Sequence, residues 1–269
     1  MNNKEKLPAH EHPFYANMFK DGLEFVAHRG GDGGYENSHQ AFQTANDSGI
    51  NIIETDIRCT LDGVPVHFHG DKKTKKILRS TQFKDINKPK VLRMLGIDQP
   101  GIEIPRLEDT LHEFPDTSFF LDLKADNTTI PVAKIIQKTK SQDRISIDGH
   151  RWKRAVEVSK AVPGGVSTTI NPIGLIALYS TVKNIPMSNN HANFLKMPGL
   201  KTLKNRWLNK ATSLSLPMKW ADEHLVDIAR DLDIPVFIHH IENKDHVNFA
   251  KEIGAQGIMA DSLELAKKI

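Results

Sequence analysis

The chain has 269 residues, a formal net charge of +3 and a hydrophobic fraction of 39%, which suffice for one large domain with a buried core. The small charge excess argues against a dedicated nucleic-acid-binding protein, so no nucleic-acid partner is expected. The single cysteine, Cys59, excludes intrachain disulfides and cysteine metal clusters. No apolar run is long enough for a signal peptide or a membrane span, and we expect a soluble, cytoplasmic protein.

The first feature with chemical content is a strand that ends in ionisable residues. The apolar run at 25–27 predicts a buried strand, and His28 and Arg29 follow it at the start of a glycine-rich loop. Asn37 or Ser38 is a suitable N-cap for the helix that comes next. We therefore expect both ionisable side chains at the end of a strand.

A second strand, at residues 51–57, carries two carboxylates. Glu54 and Asp56 are two residues apart, so the period of a strand puts both on the same face. Like charges about 7 Å apart repel each other unless a cation or a basic group lies between them. The pair therefore predicts a positively charged partner.

A hairpin is predicted directly after this strand. Asp62 and Gly63 are flanked by strand-like residues, which is typical of a two-residue type I′ turn. Such a turn predicts that Leu61 faces Val64, Arg58 faces His67 and Asp56 faces His69. This register would place the second histidine beside the acidic pair.

Strand and helix signals then alternate to the end of the chain. We predict eight barrel strands, at residues 24–27, 51–57, 118–123, 144–148, 166–170, 212–216, 235–239 and 256–259. This pattern predicts an α/β protein, a (β/α)8 TIM barrel forming a single domain over 1–269, with a hairpin and small insertion at about 58–118. Barrel enzymes carry their active sites at the C-terminal ends of the strands. The residues predicted to lie at or near such ends are His28, Glu54, Asp56, Asp122 and Lys124.

Two long connections are rich in basic residues. Residues 72–105 show no long helical period, and a solvated insertion is favoured over a phosphate clamp. Residues 175–208 mix lysines with apolar residues and lie in a stretch without Asp or Glu. We expect an enlarged helical connection there; peripheral contact with an anionic membrane, or shaping of an alcohol pocket, is the alternative.

The ordered set of motifs resembles the glycerophosphodiester phosphodiesterase family. The matching motifs are HRG at 28–30, EN at 36–37, GINIIETD at 49–56 and TLDGVPVHFH at 60–69. Segments 104–124 and 253–261 extend the resemblance over most of the chain. It implies a barrel enzyme that hydrolyses small glycerophosphodiesters to glycerol 3-phosphate and an alcohol, with the insertion as a partial lid.

The resemblance also implies a role for each site residue. One divalent cation would be held by Glu54, Asp56 and Asp122. The acid and base would be His28 and His69, and the phosphate would be bound by the basic side chains of Arg29 and Lys124. The loop would be supported by Glu36 and Asn37. Oxygen ligands favour Mg²⁺ or Ca²⁺. Which histidine is acid and which is base stays open, as does the oligomeric state.

Three positions depart from the pattern of the family. Gly70 follows the second histidine where aspartate is common, Asp122 stands for glutamate, and the pair His239 and His240 replaces a tryptophan. An unusual leaving group is therefore expected. The alternatives are a lysophospholipid phosphodiesterase, a cyclising phospholipase D-like lyase, and a non-catalytic barrel that binds a phosphate ligand.

Overall fold

Eight parallel strands close into a barrel in the computed structural model, which describes residues 12–15, 22–148, 152–170, 212–231 and 234–269. The strands of these residues are β1 Glu24–His28, β2 Ile52–Cys59, β3 Pro65–His67, β4 Ser118–Leu123, β5 Ile145–Asp148, β6 Ser167–Ile170, β7 Ser213–Pro217, β8 Val236–His239 and β9 Gly257–Ala260. Every pair is parallel except β2 with β3, and β1 pairs with both β9 and β2, which closes the barrel. The predicted fold and its eight strands are confirmed.

Helices connect the strands on the outside of the barrel. Those of the described ranges are α1 His39–Asp47, α2 Lys72–Arg79, α3 Phe83–Ile86, α4 Pro89–Met94, α5 Leu107–Glu113, α6 Thr129–Thr139, α7 Trp152–Ala161, α8 Glu223–Asp231 and α9 Lys244–Glu252. Ser38 caps α1, since its side chain accepts a hydrogen bond from the backbone of Ala41. No helix in the part of the chain with described coordinates combines the length and hydropathy that a membrane span needs. The segment 175–208 lies outside the described residues.

The largest apolar core lies between the strands and the surrounding helices, and a smaller cluster closes the N-terminal end of the barrel. In the smaller cluster, Phe14 and Tyr15 pack under the strands with exposed fractions of 2% and 0%. The ring of Phe14 lies edge-on to Phe120, and the hydroxyl of Tyr15 is 2.8 Å from that of Ser167. The N-terminal end is thus sealed by side chains, and the opposite end carries the polar residues.

The hairpin has a different register from the one predicted. The observed partners are Ile57 with His67, Arg58 with Val66 and Cys59 with Pro65. The predicted pairs Leu61 with Val64, Arg58 with His67 and Asp56 with His69 are therefore wrong by one residue. The loop has three residues between Thr60 and Val64; Gly63 adopts φ +78°, and the Thr60 hydroxyl accepts a hydrogen bond from the Val64 amide. The extra loop residue shifts every pair of the ladder.

The insertion between β3 and α5 leaves the barrel as expected, and it has a core of its own, which was not predicted. It contains α2, α3 and α4, whose short lengths leave little helical period to detect in the sequence. Their apolar residues form one buried cluster with residues of the hairpin: Val66, Phe68, Leu78, Ile86, Leu92, Leu95, Ile97, Ile102 and Ile104. The basic residues that dominate the composition lie mostly on the outside of this cluster.

Truncation of the insertion core tests whether it is packed. Leu78 is completely buried, so Leu78→Ala is expected to lower the free energy of unfolding by about 2–5 kcal/mol, because it leaves a cavity. Urea denaturation followed by circular dichroism gives this value. The matched control is Leu61→Ala, since Leu61 is 59% exposed and its truncation should change stability by no more than about 0.5 kcal/mol. Equal small effects of both substitutions would contradict a packed insertion.

Candidate active site

Three carboxylates meet at the C-terminal ends of β2 and β4. Asp56 and Asp122 are register partners in these strands, and Glu54 is two residues before Asp56 on the same face. One oxygen of each lies within 4.8 Å of the others. Oδ1 of Asp56 is buried, and its described contact is the ammonium of Lys124. Three converging carboxylates fit a hard divalent cation, because such ions prefer oxygen ligands. We call these residues the acidic triad.

Two cationic side chains neutralise the acidic triad. Nζ of Lys124 lies 2.7 Å from Oδ1 of Asp56 and also contacts Asp122, while Nε of Arg29 lies 3.0 Å from Oδ2 of Asp56. Burial by itself would raise the pKa of Asp56, but the two positive charges lower it below its ordinary value. Burial, together with the charges of Asp56 and Asp122, raises the pKa of Glu54 well above its ordinary value. A divalent cation bound by all three carboxylates would offset the repulsion that raises the pKa of Glu54.

The loop after β1 holds Arg29 in an uncommon conformation. Arg29 has φ +53°, its amide donates to Oε2 of Glu54 at 3.2 Å, and Nη1 donates to Oε2 of Glu36 at 2.6 Å. Gly30 follows with φ +89°, and a Cβ there would lie 2.7 Å from Cβ of Ala41. Glycine is required at this point because the loop presses against α1. Glu36 thus supports the loop through Arg29, and it lies outside the acidic triad.

His28 is held between the acidic triad and the last strand. Its Nδ1 donates to Oδ1 of Asp261 at 2.6 Å, and its Nε2 lies 3.7 Å from Oε2 of Glu54. The hydrogen bond to His28 lowers the pKa of Asp261. Asp261 was not predicted as a site residue, although it directly follows β9, which is adjacent to β1 in the closed barrel. Its place at a C-terminal strand end is the sequence signal that identifies it.

His69 follows β3 on the other side of the site. Its backbone carbonyl accepts a hydrogen bond from Nε of Arg58 at 2.8 Å, whereas its ring makes no hydrogen bond to any residue of the described ranges. Burial lowers the pKa of His69 below its ordinary value. The ring is half-buried and lines a cavity of about 10 Å³ that is also lined by Glu36 and Asn37. The imidazole therefore has no hydrogen-bond partner among the described residues.

The residue that follows His69 explains one departure from the family pattern. Gly70 adopts φ +61°, and Asp71 after it caps α2: its carboxylate accepts from the amide of Thr74 at 2.7 Å. Asp71 lies one position after the place where the family commonly has aspartate, and it caps the first helix of the insertion. The other departure in a loop, His239 and His240, lies at the C-terminal end of β8, where the two rings are 4.4 Å apart.

Asn37 links the acidic triad to the interior. Its Oδ1 accepts from the amide of Asp56 at 3.0 Å and from the hydroxyl of Thr55 at 2.7 Å, and its Nδ2 donates to Oδ2 of Asp56 at 3.0 Å. Nδ1 of His67 lies 2.7 Å from the same hydroxyl. Since the hydroxyl proton is given to Asn37, Thr55 must accept from His67, which therefore carries its proton on Nδ1. His67, which was not among the predicted site residues, thus helps to orient Asp56 through Thr55 and Asn37.

Comparisons with known proteins agree with this arrangement. The model of the Glycerophosphoryl diester phosphodiesterase family matches residues 28–265. "Probable glycerophosphodiester phosphodiesterase 2" of Mycobacterium tuberculosis is 30% identical over 146 residues, 52% of this chain and 53% of that protein, so the match spans about half the length of this relative.

Solved structures show the same fold. A glycerophosphodiester phosphodiesterase of Thermotoga maritima has a TM-score of 0.66 at 18% identity, with coverage of 93% of this chain and 99% of that chain. A phosphodiesterase of Oleispira antarctica, in complex with the product sn-glycerol-3-phosphate, has a TM-score of 0.66 at 15% identity and covers 91% and 95%. At such identities the likeness concerns the barrel itself.

The buried imidazole of His67 predicts a pH dependence of stability. Burial lowers the pKa of His67 to about 3, so between pH 6.5 and 3 the unfolded chain binds a proton that the folded chain does not. Stability is therefore lost as the pH falls through this range, by about 2 kcal/mol from this group between pH 6.5 and pH 5. Urea denaturation of the wild type and of His67→Phe at pH 7 and pH 5 measures it, and the variant is expected to lose less. Equal losses in both proteins would contradict a buried neutral His67.

Proposed function

The chain belongs to the glycerophosphoryl diester phosphodiesterase family, and from this premise we propose that it hydrolyses glycerophosphodiesters to glycerol 3-phosphate and an alcohol. The observation that carries the proposal is the acidic triad, in which one oxygen of each carboxylate lies within 4.8 Å of the others. The triad lies beside the imidazole of His28 and the basic side chains of Arg29 and Lys124, which are of the kind that binds phosphate. A structure of the same fold with bound sn-glycerol-3-phosphate supports the nature of the product.

One divalent cation, Mg²⁺ or Ca²⁺, would be held by Glu54, Asp56 and Asp122, because all their donor atoms are oxygens. When bound, such an ion offsets the negative charge of the phosphodiester and polarises a phosphoryl oxygen. Asp122 is one methylene shorter than glutamate, but its register partnership with Asp56 brings the two carboxylates together. Asn37 holds Oδ2 of Asp56, and Oδ1 faces the ammonium of Lys124.

Arg29 and Lys124 bind the phosphate in this proposal. Each contacts a carboxylate of the acidic triad, so a phosphodiester seated on the triad is within reach of both side chains. The guanidinium offers paired, planar donors to two oxygens, and the ammonium offers a point charge. Glu36 accepts from Arg29 and keeps its guanidinium directed at the site.

His28 and His69 are the acid and base of the proposed reaction. Asp261 holds the proton on Nδ1 of His28, so Nε2, on the side of the triad, is the atom that exchanges a proton with the substrate. The ring of His69 is free of protein hydrogen bonds to the described residues, as a proton-transfer group requires. One imidazole accepts the proton of the attacking water or glycerol hydroxyl, and the other donates a proton to the departing alkoxide. If the glycerol hydroxyl attacks, water then opens the cyclic phosphate to give glycerol 3-phosphate.

Hydrolysis in the presence and absence of metal tests the proposal. EDTA-treated protein is expected to release no glycerol 3-phosphate from glycerophosphocholine or glycerophosphoethanolamine, and Mg²⁺ or Ca²⁺ should restore release. His28→Ala and His69→Ala should each lower kcat by about 10²–10⁴-fold, because each removes an acid or base. The matched control is His112→Ala, at an exposed position on α5, which should keep full activity.

Product analysis separates the alternatives in the same samples. A persistent cyclic phosphate in the phosphorus NMR spectrum would replace hydrolysis by a cyclising reaction. Release from lysophospholipids alone would move the substrate class to lipids. Ligand-induced stabilisation without turnover and without metal dependence would favour a binding protein. Any of these three results would contradict the proposed hydrolysis.

The contact between Asp261 and His28 gives a separate prediction. Asp261→Asn removes the negative charge that holds the proton on Nδ1, so kcat is expected to fall by about 10–100-fold with little change in KM. The control is Asp245→Asn, at an exposed position on α9. Steady-state kinetics over pH 5.5–8.5 provides the measurement, and the pH profile of kcat should shift in Asp261→Asn alone. An unchanged kcat and pH profile would show that Asp261 does not act on His28.

A further inference from the structure

Arg58 is a buried cation that forms no ion pair with a carboxylate of the described residues. It lies on β2 two residues after Asp56, so it shares the face of the acidic triad and lies closer to the mouth of the barrel. The residue is only 6% exposed. Its Nε donates to the carbonyl of His69 at 2.8 Å, and no carboxylate in the described ranges forms an ion pair with it.

The Nη end of this side chain is not fully enclosed by the described residues. The two Nη groups of Arg58 make no hydrogen bond to a described residue, and they are not among the polar atoms sealed inside the protein. A guanidinium this deeply buried normally pairs with a carboxylate, because its desolvation is otherwise uncompensated. The side chain therefore presents unpaired donors to the space above the acidic triad.

Lys75 of the insertion is close enough to Arg58 for the two charges to affect each other. The other lysines of α2, Lys72, Lys73 and Lys76, are exposed, whereas Lys75 is half-buried. It is three residues before Leu78, which anchors the helix in the insertion core, so both point toward the protein. Burial, followed by the nearby charges of Arg58 and Lys124, lowers the pKa of Lys75. No carboxylate of the described residues forms an ion pair with Lys75.

We propose that Arg58 and Lys75 form an anion subsite at the mouth of the barrel, which binds a second phosphate group on the alcohol portion of the substrate. The inference rests on the proposed function, whose scissile phosphate lies at the acidic triad. Arg58 is about 7 Å further along β2 than Asp56, a separation that a small polyol can span. The preferred substrates are then glycerophosphodiesters whose leaving alcohol carries its own phosphate.

The subsite differs from the cations that bind the scissile phosphate. Arg29 and Lys124 both form ion pairs with carboxylates of the acidic triad. Arg58 and Lys75 have no such partner among the residues with described coordinates, and their mutual repulsion is relieved by an anion between them. A neutral alcohol gains nothing from these two residues, whereas a phosphorylated one gains charged hydrogen bonds.

Binding of a matched pair of ligands tests this inference. Glycerophosphoinositol and glycerophosphoinositol 4-phosphate differ by one phosphate, and calorimetry on His28→Ala protein with Mg²⁺ measures their affinities without turnover. The phosphorylated ligand is expected to bind at least about tenfold more tightly. Adding Lys75→Gln should remove most of this preference, Lys75→Arg should retain it, and Lys73→Gln, at an exposed position on the same helix, should not change it. Lys75 carries the test because Arg58 also holds the backbone of His69.

Separate outcomes decide the subsite and the proposed function. Equal affinity for the two ligands, no binding of either, or a preference that survives Lys75→Gln would overturn the subsite. Turnover of both compounds by the wild type is measured in parallel. If the wild type hydrolyses neither of these nor the simpler diesters, the proposed function fails, while calorimetry still decides whether Arg58 and Lys75 bind the second phosphate.

Discussion

The concentration of negative charge at one end of the barrel is the constraint on which the site depends. Three buried carboxylates within 4.8 Å of each other require compensation. Arg29 and Lys124 supply it at Asp56, and the pKa of Glu54 rises well above its ordinary value because burial and its acidic neighbours oppose its charge. A divalent cation at the triad would complete this balance.

Closure of the barrel places Asp261 next to His28, beside the acidic triad. Because β9 pairs with β1, Asp261 reaches His28 across 233 positions of sequence and orients its ring. Behind the triad, the chain of hydrogen bonds from His67 through Thr55 and Asn37 holds Oδ2 of Asp56 in place. Both arrangements orient the side chains of the candidate site before any ligand binds.

The insertion contributes to the site because it is folded. Its apolar cluster fixes α2 against the hairpin, and α2 then holds Lys75 on the side of the barrel mouth. Gly70 and the cap at Asp71 set the point at which the chain leaves the hairpin, directly after His69. A flexible excursion could not hold a partly buried ammonium beside Arg58, since ordering it would cost conformational entropy in every binding event. In the proposed subsite, the choice of substrate would therefore depend on the packing of the insertion.

Local patterns in the sequence predict the eight strands, the barrel and the shared face of Glu54 and Asp56, because these depend on a period of two residues and on strand order. The sequence does not predict the hairpin register, since one loop residue with positive φ at Gly63 shifts every pair. Nor does it predict the contact of Asp261 with His28, the tautomer of His67 or the unpaired state of Arg58. These depend on which side chains meet across the closed barrel, and burial and partner geometry exist only once distant segments have packed together.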